Sequence, residues 1–306
     1  MSTDWPRITI VTPSFNQVDF IEETIESVLS QGYPNLQYVI IDGGSTDGSA
    51  EMISRYDASL DYWISEPDQG QADALNKGFD RADGEICAYL NSDDLLLPGS
   101  LKAVASFVSS TSCQWLHSKV LSGESIWESS LFENHPGTFE SFCAQQTIAQ
   151  QGVFWARKSL ARPFFNSSLR FVMDHEFFIR LYREHGPPAP LERITAFFRQ
   201  HPASKTSTLE TVLHSERRSI GISAAQQSPP SLAIQIHKEI RRVDLKLASS
   251  CAFIRVEAAG SRSAALRETL ACIRCALVDP LPFKDRVLLG MARRALQHAL
   301  LSRIPL

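Results

Sequence analysis

Short apolar segments alternate with helical segments over the first ninety or so residues of this 306-residue chain. Strands that alternate with helices form right-handed βαβ units, and such units build a parallel sheet. Because the apolar segments are almost uninterrupted, both faces of the sheet should be covered. The sequence therefore predicts an α/β domain with a mostly parallel sheet and helices on both faces. The predicted strands are residues 7–11, 38–41, 62–64 and 85–90.

The glycine pattern argues against the common nucleotide-binding versions of this topology. No G-x-G-x-x-G follows the first strand, where Pro13, Phe15 and Asn16 stand instead. The P-loop pattern G-x-x-x-x-G-K-[ST] is absent from the whole sequence. A dinucleotide fold is the usual expectation for this topology, and its fingerprint is missing.

The pentapeptide Leu-Asn-Ser-Asp-Asp, residues 90–94, ends the fourth predicted strand. Open α/β sheets bind their ligands at the carboxyl ends of the strands. Two carboxylates at that edge suit Mg²⁺ or Mn²⁺ held mainly through a substrate diphosphate. The alternative is that Asp93 or Asp94 caps the helix that opens near Pro98. The pentapeptide alone does not separate the two interpretations.

Four segments in this order resemble one family of proteins. They are residues 10–16, 39–48, 65–78 and 90–94. Together they resemble the family 2 inverting glycosyltransferases with the GT-A fold, of the bacterial polysaccharide and glycoconjugate type. The resemblance is dense over the first hundred residues, thins out to about residue 205 and is not seen beyond. It implies transfer of a sugar from a nucleotide-diphosphate donor to an acceptor hydroxyl.

The resemblance also implies which residues hold the donor. The loop after the first strand would surround the base, and Asp42 would accept a hydrogen bond from it, although Asp-Gly-Gly-Ser-Thr-Asp-Gly is turn chemistry in any protein. Asn76 and Lys77 resemble a nucleotide- and phosphate-facing pair, although a lone lysine on a helix usually faces solvent. The implied donor-binding residues are Thr12, Pro13, Phe15, Asn16, Asp42, Gly70, Gln71, Asn76, Lys77, Asn91, Ser92 and Asp93.

The Asp-x-Asp motif of the family appears here as Asn91-Ser92-Asp93. Asp93 keeps the acid that the family uses on the metal, and Asn91 can still hydrogen-bond a ribose hydroxyl. Whether the lost charge weakens metal binding stays open, and Asp94 is a further candidate ligand. His201 resembles a third metal or diphosphate contact of relatives, although a lone histidine more often has a local partner. The implied cofactor is Mn²⁺ or Mg²⁺, held by Asp93 and His201.

A helix is predicted to begin near residue 174, because apolar residues recur with helical spacing after it. The family places its catalytic base at such a helix start, often as Glu-Asp, and Met173-Asp174 matches with the first acid replaced. The resemblance implies that Asp174 takes the proton from the acceptor, for which one carboxylate is enough. Aspartate is also a standard helix N-cap. Glu176 is the alternative base, and His175 is interpreted as structural.

Residues 150–155 resemble the acceptor-side strand of the family, with Trp155 either a stacking surface for a sugar or a core residue.

Processive relatives carry membrane spans and a Gln-x-x-Arg-Trp motif. No run of about 18 apolar residues occurs here, and no tryptophan follows Trp155. The sequence therefore predicts one sugar addition per encounter with the acceptor.

Charge divides the chain into two parts. Residues 1–230 carry 17 basic and 28 acidic side chains, and residues 231–306 carry 13 basic and 6 acidic ones. We predict a GT-A domain over 5–215, a linker over 216–230 and a helical module over 231–306, with helices at 232–248, 263–277 and 284–301. The last helix has a basic face, which either packs with its polar side in solvent or lies on an anionic membrane near a lipid-linked acceptor.

The remaining composition points to a cytoplasmic protein. Six scattered cysteines match no disulfide framework, and Cys272-x-x-Cys275 lacks the second pair of a zinc site. The N-terminus has no signal-peptide pattern.

The expected partners are the donor and a glycan or lipid-linked acceptor, with a peripheral contact to the inner face of the membrane but no nucleic acid; self-association is left open. The alternatives are a non-catalytic sugar-nucleotide-binding module and a nucleotidyltransferase, although the Gly-rich basic loop of the latter is missing.

Overall fold

The computed structural model describes residues 5–202 and 210–257. The chain divides into two compact units. The first contains the residues up to Phe142 together with Gln146–Ile220, and the second contains Cys143–Gln145 and the chain from Gly221 onward. The predicted helices 263–277 and 284–301, with Cys272 and Cys275, lie outside the described residues.

Nine strands of the described residues form one sheet in the order β3-β2-β1-β4-β8-β6-β9-β5, and β7 also pairs with β6. Six strands (β1 to β4, β6 and β9) share one direction, and β5, β7 and β8 run opposite to them. The predicted mostly parallel sheet is confirmed. The strands are β1 Ile8–Ser14, β2 Leu36–Asp42, β3 Tyr62–Ser65, β4 Ile86–Tyr89, β5 Leu95–Leu96, β6 Trp115–Gly123, β7 Ser130–Phe132, β8 Val153–Ala156 and β9 Ala189–Arg199.

Helices connect and flank these strands. They are α1 Ile21–Leu29, α2 Ser49–Ser54, α3 Gln71–Asp80, α4 Ser100–Thr111, α5 Phe139–Ala144, α6 Met173–His185, α7 Glu210–Gln226 and α8 Pro230–Glu257. The elements predicted in the first ninety residues are confirmed to within a few residues. None of these helices, taken over the described residues, is long and apolar enough to cross a bilayer.

The parallel strands place their carboxyl ends at one edge of the sheet. All seven residues of β1 are buried, and its last residue, Ser14, lies opposite Asp42, the last residue of β2. A Cβ at Gly78 of α3 would collide with a methyl group of Val11. Glycine at this position therefore lets α3 lie directly on β1, which brings the residues just before Gly78 toward the same edge.

Trp155 is a core residue, which decides between its two interpretations. Its side chain is 1% exposed. It packs edge-on against Phe164, Phe165 and Phe177 and in a tilted contact against Phe79. Aromatic pairs of this kind add about 0.5–1.5 kcal/mol each beyond the area that they bury. Trp155 therefore stabilises the fold and offers no stacking surface to a sugar.

The predicted linker at residues 216–230 is largely helical, because α7 continues to Gln226. Only residues 227–229 separate α7 from α8, which begins at Pro230. Proline is accepted in the first turn of a helix but not in its interior, so the Ser-Pro-Pro sequence marks a helix boundary. Helix α8 covers the predicted helix 232–248 and extends beyond it to Glu257.

Candidate functional site

Asp93 and His201 meet at the carboxyl edge of the sheet. Asp93 lies in the turn that follows β4, and His201 comes two residues after β9. The turn leads into β5, which pairs with β9 so that Leu95 lies opposite Phe197. As a result, Asp93 Oδ2 lies 3.0 Å from His201 Nε2 although 108 residues separate them. The two side chains implied as metal ligands are thus adjacent.

The Asp93–His201 pair fits a divalent cation. Two neighbouring ligands of an octahedral ion, each about 2.1 Å from it, lie about 3 Å apart, which matches the observed separation. No group of three or more His, Cys, Asp or Glu side chains suited to a metal occurs in the part of the chain that is described. The remaining ligands would therefore come from the donor diphosphate and water, as is usual for Mg²⁺ or Mn²⁺ with few protein ligands.

Asp94 belongs to the fold and is not a further metal ligand. Its side chain is 0% exposed. Oδ1 accepts a hydrogen bond from the Arg199 backbone N–H at 3.0 Å, and Oδ2 accepts from Gln151 Nε2 at 2.9 Å and Asn91 Nδ2 at 3.2 Å. Burial and the adjacent Asp93 charge raise the pKa of Asp94 well above its usual value, against the effect of these hydrogen bonds. Asp94 thus joins the turn to β9.

Arg199 fixes the same turn from the other strand. Its Nε donates to the Asp93 backbone carbonyl at 3.0 Å, and its guanidinium pairs with Glu23 and lies over the ring of Phe20. The Phe20 ring also packs against His201, with 4.6 Å between ring centroids. The sequence analysis missed Arg199; the only signal was a basic residue two positions before His201.

Asn91 links several residues of the predicted donor site. Gln71 Nε2 donates to Asn91 Oδ1 at 2.7 Å, and Ser92, the middle residue of the motif, is buried. Gln150 Nε2 donates to the Tyr89 carbonyl at 2.8 Å, at the end of β4. Gln150 and Gln151 therefore hold the turn at residues 91–94 and the end of β4 by hydrogen bonds. The sequence did not reveal this role.

Asp42 is held inside its own turn. Its side chain is fully buried, and it accepts hydrogen bonds from Ser45 N at 2.9 Å, Ser45 Oγ at 2.5 Å and Ser65 Oγ at 2.6 Å. Gly44 follows with φ +80°, which favours glycine. The turn chemistry is therefore present, and the recognition of a base by Asp42 stays a prediction.

The loop after β1 presents one large apolar side chain to solvent. Phe15 is 60% exposed, whereas Thr12 is buried and lies 3.1 Å from the Tyr38 hydroxyl, and Pro13 is buried as well. Asn16 ties this loop to the β2 turn, because its Oδ1 accepts from the Thr46 N–H at 3.0 Å. Contact of the exposed Phe15 ring with a base stays a prediction.

Asn76 and Lys77 are both engaged with the protein. The Asn76 amide forms two hydrogen bonds with the Phe165 backbone, at 2.8 and 3.0 Å. Lys77 Nζ lies 2.9 Å from Glu66 and 3.7 Å from Asp73, and the hydrogen bond to Glu66 raises the pKa of Lys77. Asn76 thus anchors the loop that precedes α6. Gly70 is the N-cap of α3, and phosphate binding by Lys77 stays a prediction.

Asp174 is the second residue of α6, and its Oδ1 accepts the first-turn N–H of His175 at 2.8 Å. The N-cap is Val172, whose side chain makes no capping hydrogen bond. Asp174 Oδ2 accepts from Gln146 Nε2 at 3.0 Å. Burial, followed by the negative charges of Asp174 and Asp94, raises the pKa of the Tyr89 hydroxyl well above its usual value. Asp174 and Asp94 thus both act electrostatically on the same buried phenol of β4.

The neighbours of Asp174 have structural roles. His175 is buried, its Nε2 lies 2.6 Å from the Phe142 carbonyl, and burial lowers its pKa to about 4. It is therefore neutral near pH 7. Glu176 forms two hydrogen bonds with Arg180, at 2.9 and 3.0 Å. This pairing favours Asp174 over Glu176 as the base.

Part of the chain is similar in sequence to known glycosyltransferases. The chain is 36% identical over 115 residues to TuaG of Bacillus subtilis, described as a putative teichuronic acid biosynthesis glycosyltransferase, with 36% of this chain and 46% of TuaG covered. An uncharacterized glycosyltransferase of Mycobacterium tuberculosis is 38% identical over 93 residues, which cover 30% of this chain and 36% of that protein. The matched part thus spans less than half of either relative.

Solved structures show the same fold at low identity. Residues 1–349 of S. aureus TarS in complex with UDP-GlcNAc superpose with a TM-score of 0.63 at 17% identity, over 76% of this chain and 71% of that one. The mannosyltransferase PcManGT from Pyrobaculum calidifontis, in complex with GDP-Man and Mn²⁺, gives 0.57 at 20% identity, over 98% and 89%. The predicted GT-A fold is confirmed.

The profile described as "Glycosyl transferase family 2" matches residues 9–151. Residues 9–151 of this chain are therefore a glycosyl transferase family 2 domain.

Proposed function

We propose that this protein transfers a single sugar, with inversion, from a nucleotide-diphosphate donor to an acceptor hydroxyl with the help of a divalent cation. The observation that carries the proposal is the Asp93–His201 pair, 3.0 Å apart at the carboxyl edge of a GT-A sheet. Asp174, in the first turn of α6, is the carboxylate that the family resemblance implies as the base. Inverting sugar transfer needs a base for the acceptor hydroxyl and charge neutralisation for the leaving diphosphate. Asp174 would supply the first, and a cation on the Asp93–His201 pair would supply the second.

The chemistry follows from these positions. Asp174 takes the proton from the acceptor hydroxyl, whose oxygen attacks the anomeric carbon from the face opposite the leaving group. The bond between that carbon and the diphosphate oxygen breaks, and the nucleoside diphosphate departs with the bonding electrons. Asp93 and His201 would hold the divalent cation, which would neutralise charge on the leaving diphosphate. Asn91 and Gln71 orient the donor from the side of α3.

The proposed setting is the assembly of a surface polysaccharide or glycoconjugate. TuaG is named for teichuronic acid biosynthesis, and solved relatives hold UDP-GlcNAc or GDP-Man with Mn²⁺. These names support a nucleotide-sugar donor of the same chemical class. We place the enzyme in the cytoplasm, adding one sugar per encounter. It would touch the inner face of the membrane through residues 231–306, which carry 13 basic and 6 acidic side chains.

Nucleotide release from a donor panel tests the proposed activity. Thermal shift with UDP-GlcNAc, GDP-mannose and other sugar nucleotides should select a donor in the presence of Mn²⁺, and slow donor hydrolysis should follow with water as acceptor. Binding without any hydrolysis or transfer would favour a non-catalytic module. Formation of a sugar nucleotide from a nucleoside triphosphate and a sugar phosphate would favour a nucleotidyltransferase.

Flotation with lipid vesicles tests the membrane contact. The full chain should float with vesicles that contain anionic lipid and remain behind with pure phosphatidylcholine. Each arginine near an anionic surface contributes about 1 kcal/mol. Replacing Arg286, Arg293 and Arg294 by glutamine should therefore weaken flotation strongly, as should raising the salt concentration. Equal flotation of the two proteins would leave the C-terminal part with a packing or self-association role only.

A further inference from the structure

The carboxylate of Glu216, on α7, holds the chain just ahead of Asp174. Its Oε1 accepts a hydrogen bond from the Arg170 N–H at 2.8 Å, and its Oε2 accepts from the N–H groups of Phe171 at 2.8 Å and Val172 at 3.2 Å. Three consecutive backbone donors thus converge on one side chain that lies 44 to 46 residues further along the chain. All of these residues belong to the first compact unit.

These contacts hold the three residues that lead into α6, the last of which is its N-cap Val172. The first N–H groups of a helix have no partner inside the helix, and the N-cap residue Val172 has no side-chain oxygen to offer them. Glu216 brings a negative charge to the positive end of the α6 dipole. Hydrogen bonds to an ionised carboxylate are about twice as strong as neutral ones. Glu216 therefore fixes the path of the chain into α6, while Asp174 Oδ1 itself accepts the first-turn N–H of His175 at 2.8 Å.

We propose that Glu216 is a positioning residue for the reaction, one that sets the place of the Asp174 carboxylate by holding the first turn of α6. This inference rests on the proposed role of Asp174 as the base. Asp174 lies two residues after Val172, and Val172 accepts the hydrogen bond of the Glu176 N–H at 3.0 Å in the first turn. Movement of Val172 therefore carries Asp174 with it, away from Gln146. A displacement of about 1 Å at a reacting group can cost about 10²-fold in rate.

The variant Glu216→Gln tests the proposal, with Glu184→Gln as the matched control. Glutamine has the same shape, but its NH₂ group faces the backbone N–H donors, so at least one of them loses its acceptor. Glu184 is an exposed glutamate in the same helix as Asp174. In Glu216→Gln we expect faster hydrogen–deuterium exchange in the peptide covering residues 168–176 and unchanged exchange in β1. Release of UDP from UDP-GlcNAc or GDP from GDP-mannose should slow by about 10- to 100-fold, with unchanged affinity for UDP or GDP. The control should behave as the parent.

A double-mutant cycle separates positioning from general stabilisation. If Glu216 acts through Asp174, adding Glu216→Gln to Asp174→Asn should cost almost nothing further in turnover, because residues that act as a unit are not additive. Additive losses, normal turnover with faster exchange, or loss of nucleotide affinity would each overturn the proposal. A fully active Asp174→Asn protein would instead refute the base assignment in the proposed function, and an inactive one beside a normal Glu216→Gln protein would refute only the positioning role.

Discussion

Asp93→Ala is expected to lower sugar transfer by about 10³-fold or more and to remove the Mn²⁺ dependence of nucleotide binding. The cation would lose one of its two protein ligands, and with it the charge that anchors it beside the leaving diphosphate. The fold should survive, since the Asp93 side chain is 19% exposed and its hydrogen bond joins it to His201, another residue of the proposed metal site. Calorimetry of UDP and GDP binding, with and without Mn²⁺, measures the effect directly.

Asp94→Asn is the contrasting variant for this experiment. The amide group that it introduces would face a backbone or side-chain N–H in a fully buried site. A buried donor left without an acceptor costs about 1–3 kcal/mol. We therefore expect Asp94→Asn to lower the free energy of unfolding, and Asp93→Ala to leave it nearly unchanged. Unchanged metal-dependent binding in Asp93→Ala would show that the metal role belongs to another residue.

Asp174→Asn is expected to reduce turnover by about 10² to 10⁴-fold, because the change removes the group that accepts the proton. Asparagine keeps an oxygen that can accept the hydrogen bond of Gln146. Stability and affinity for UDP or GDP should therefore stay near those of the parent protein. Steady-state rates, measured beside thermal unfolding and nucleotide binding, separate the loss of chemistry from a loss of folded protein.

Glu176→Gln serves as the comparison for Asp174. It removes the charge of the Glu176–Arg180 ion pair, which is only partly exposed. We expect a modest loss of stability and nearly normal turnover per folded molecule. The reverse pattern, with Asp174→Asn active and Glu176→Gln inactive, would transfer the role of the base to Glu176.

The sequence was sufficient for the local elements and for the edge that carries the site. Apolar runs of strand length predicted β1, β2, β3 and β4, because strands that are buried on both faces consist almost entirely of apolar residues. The ends of parallel strands share an edge, so the motif at residues 90–94 could be placed before any coordinates. The pairing of Asp93 with His201 followed from the family resemblance, and the geometry agrees with it.

The sequence was insufficient for the polar contacts between distant segments. Asp94 accepts from Arg199 across 105 residues, and Asn76 holds Phe165 across 89. Such contacts depend on which distant segments meet in the folded protein. They produce no periodic pattern in the sequence of either segment. Glu216 is one glutamate in a polar helix, and nothing near it in sequence shows that it serves α6. Residues 216–226 of the predicted linker are helical, since polar composition does not distinguish a surface helix from a loop, and the domain bounds stay a prediction.

The burial of Asp94 also constrains the order in which the protein can mature. On a ribosome the chain emerges from its N-terminus, so the turn at residues 91–94 exists well before β9 has been synthesised. Until β9 enters the sheet between β6 and β5, Asp94 lacks its main-chain donor, the Arg199 N–H, and a buried carboxylate that misses a hydrogen bond is unfavourable. Contacts across such sequence distances form slowly. In refolding experiments, competence to bind a cation should therefore appear late, after the N-terminal βαβ units have formed.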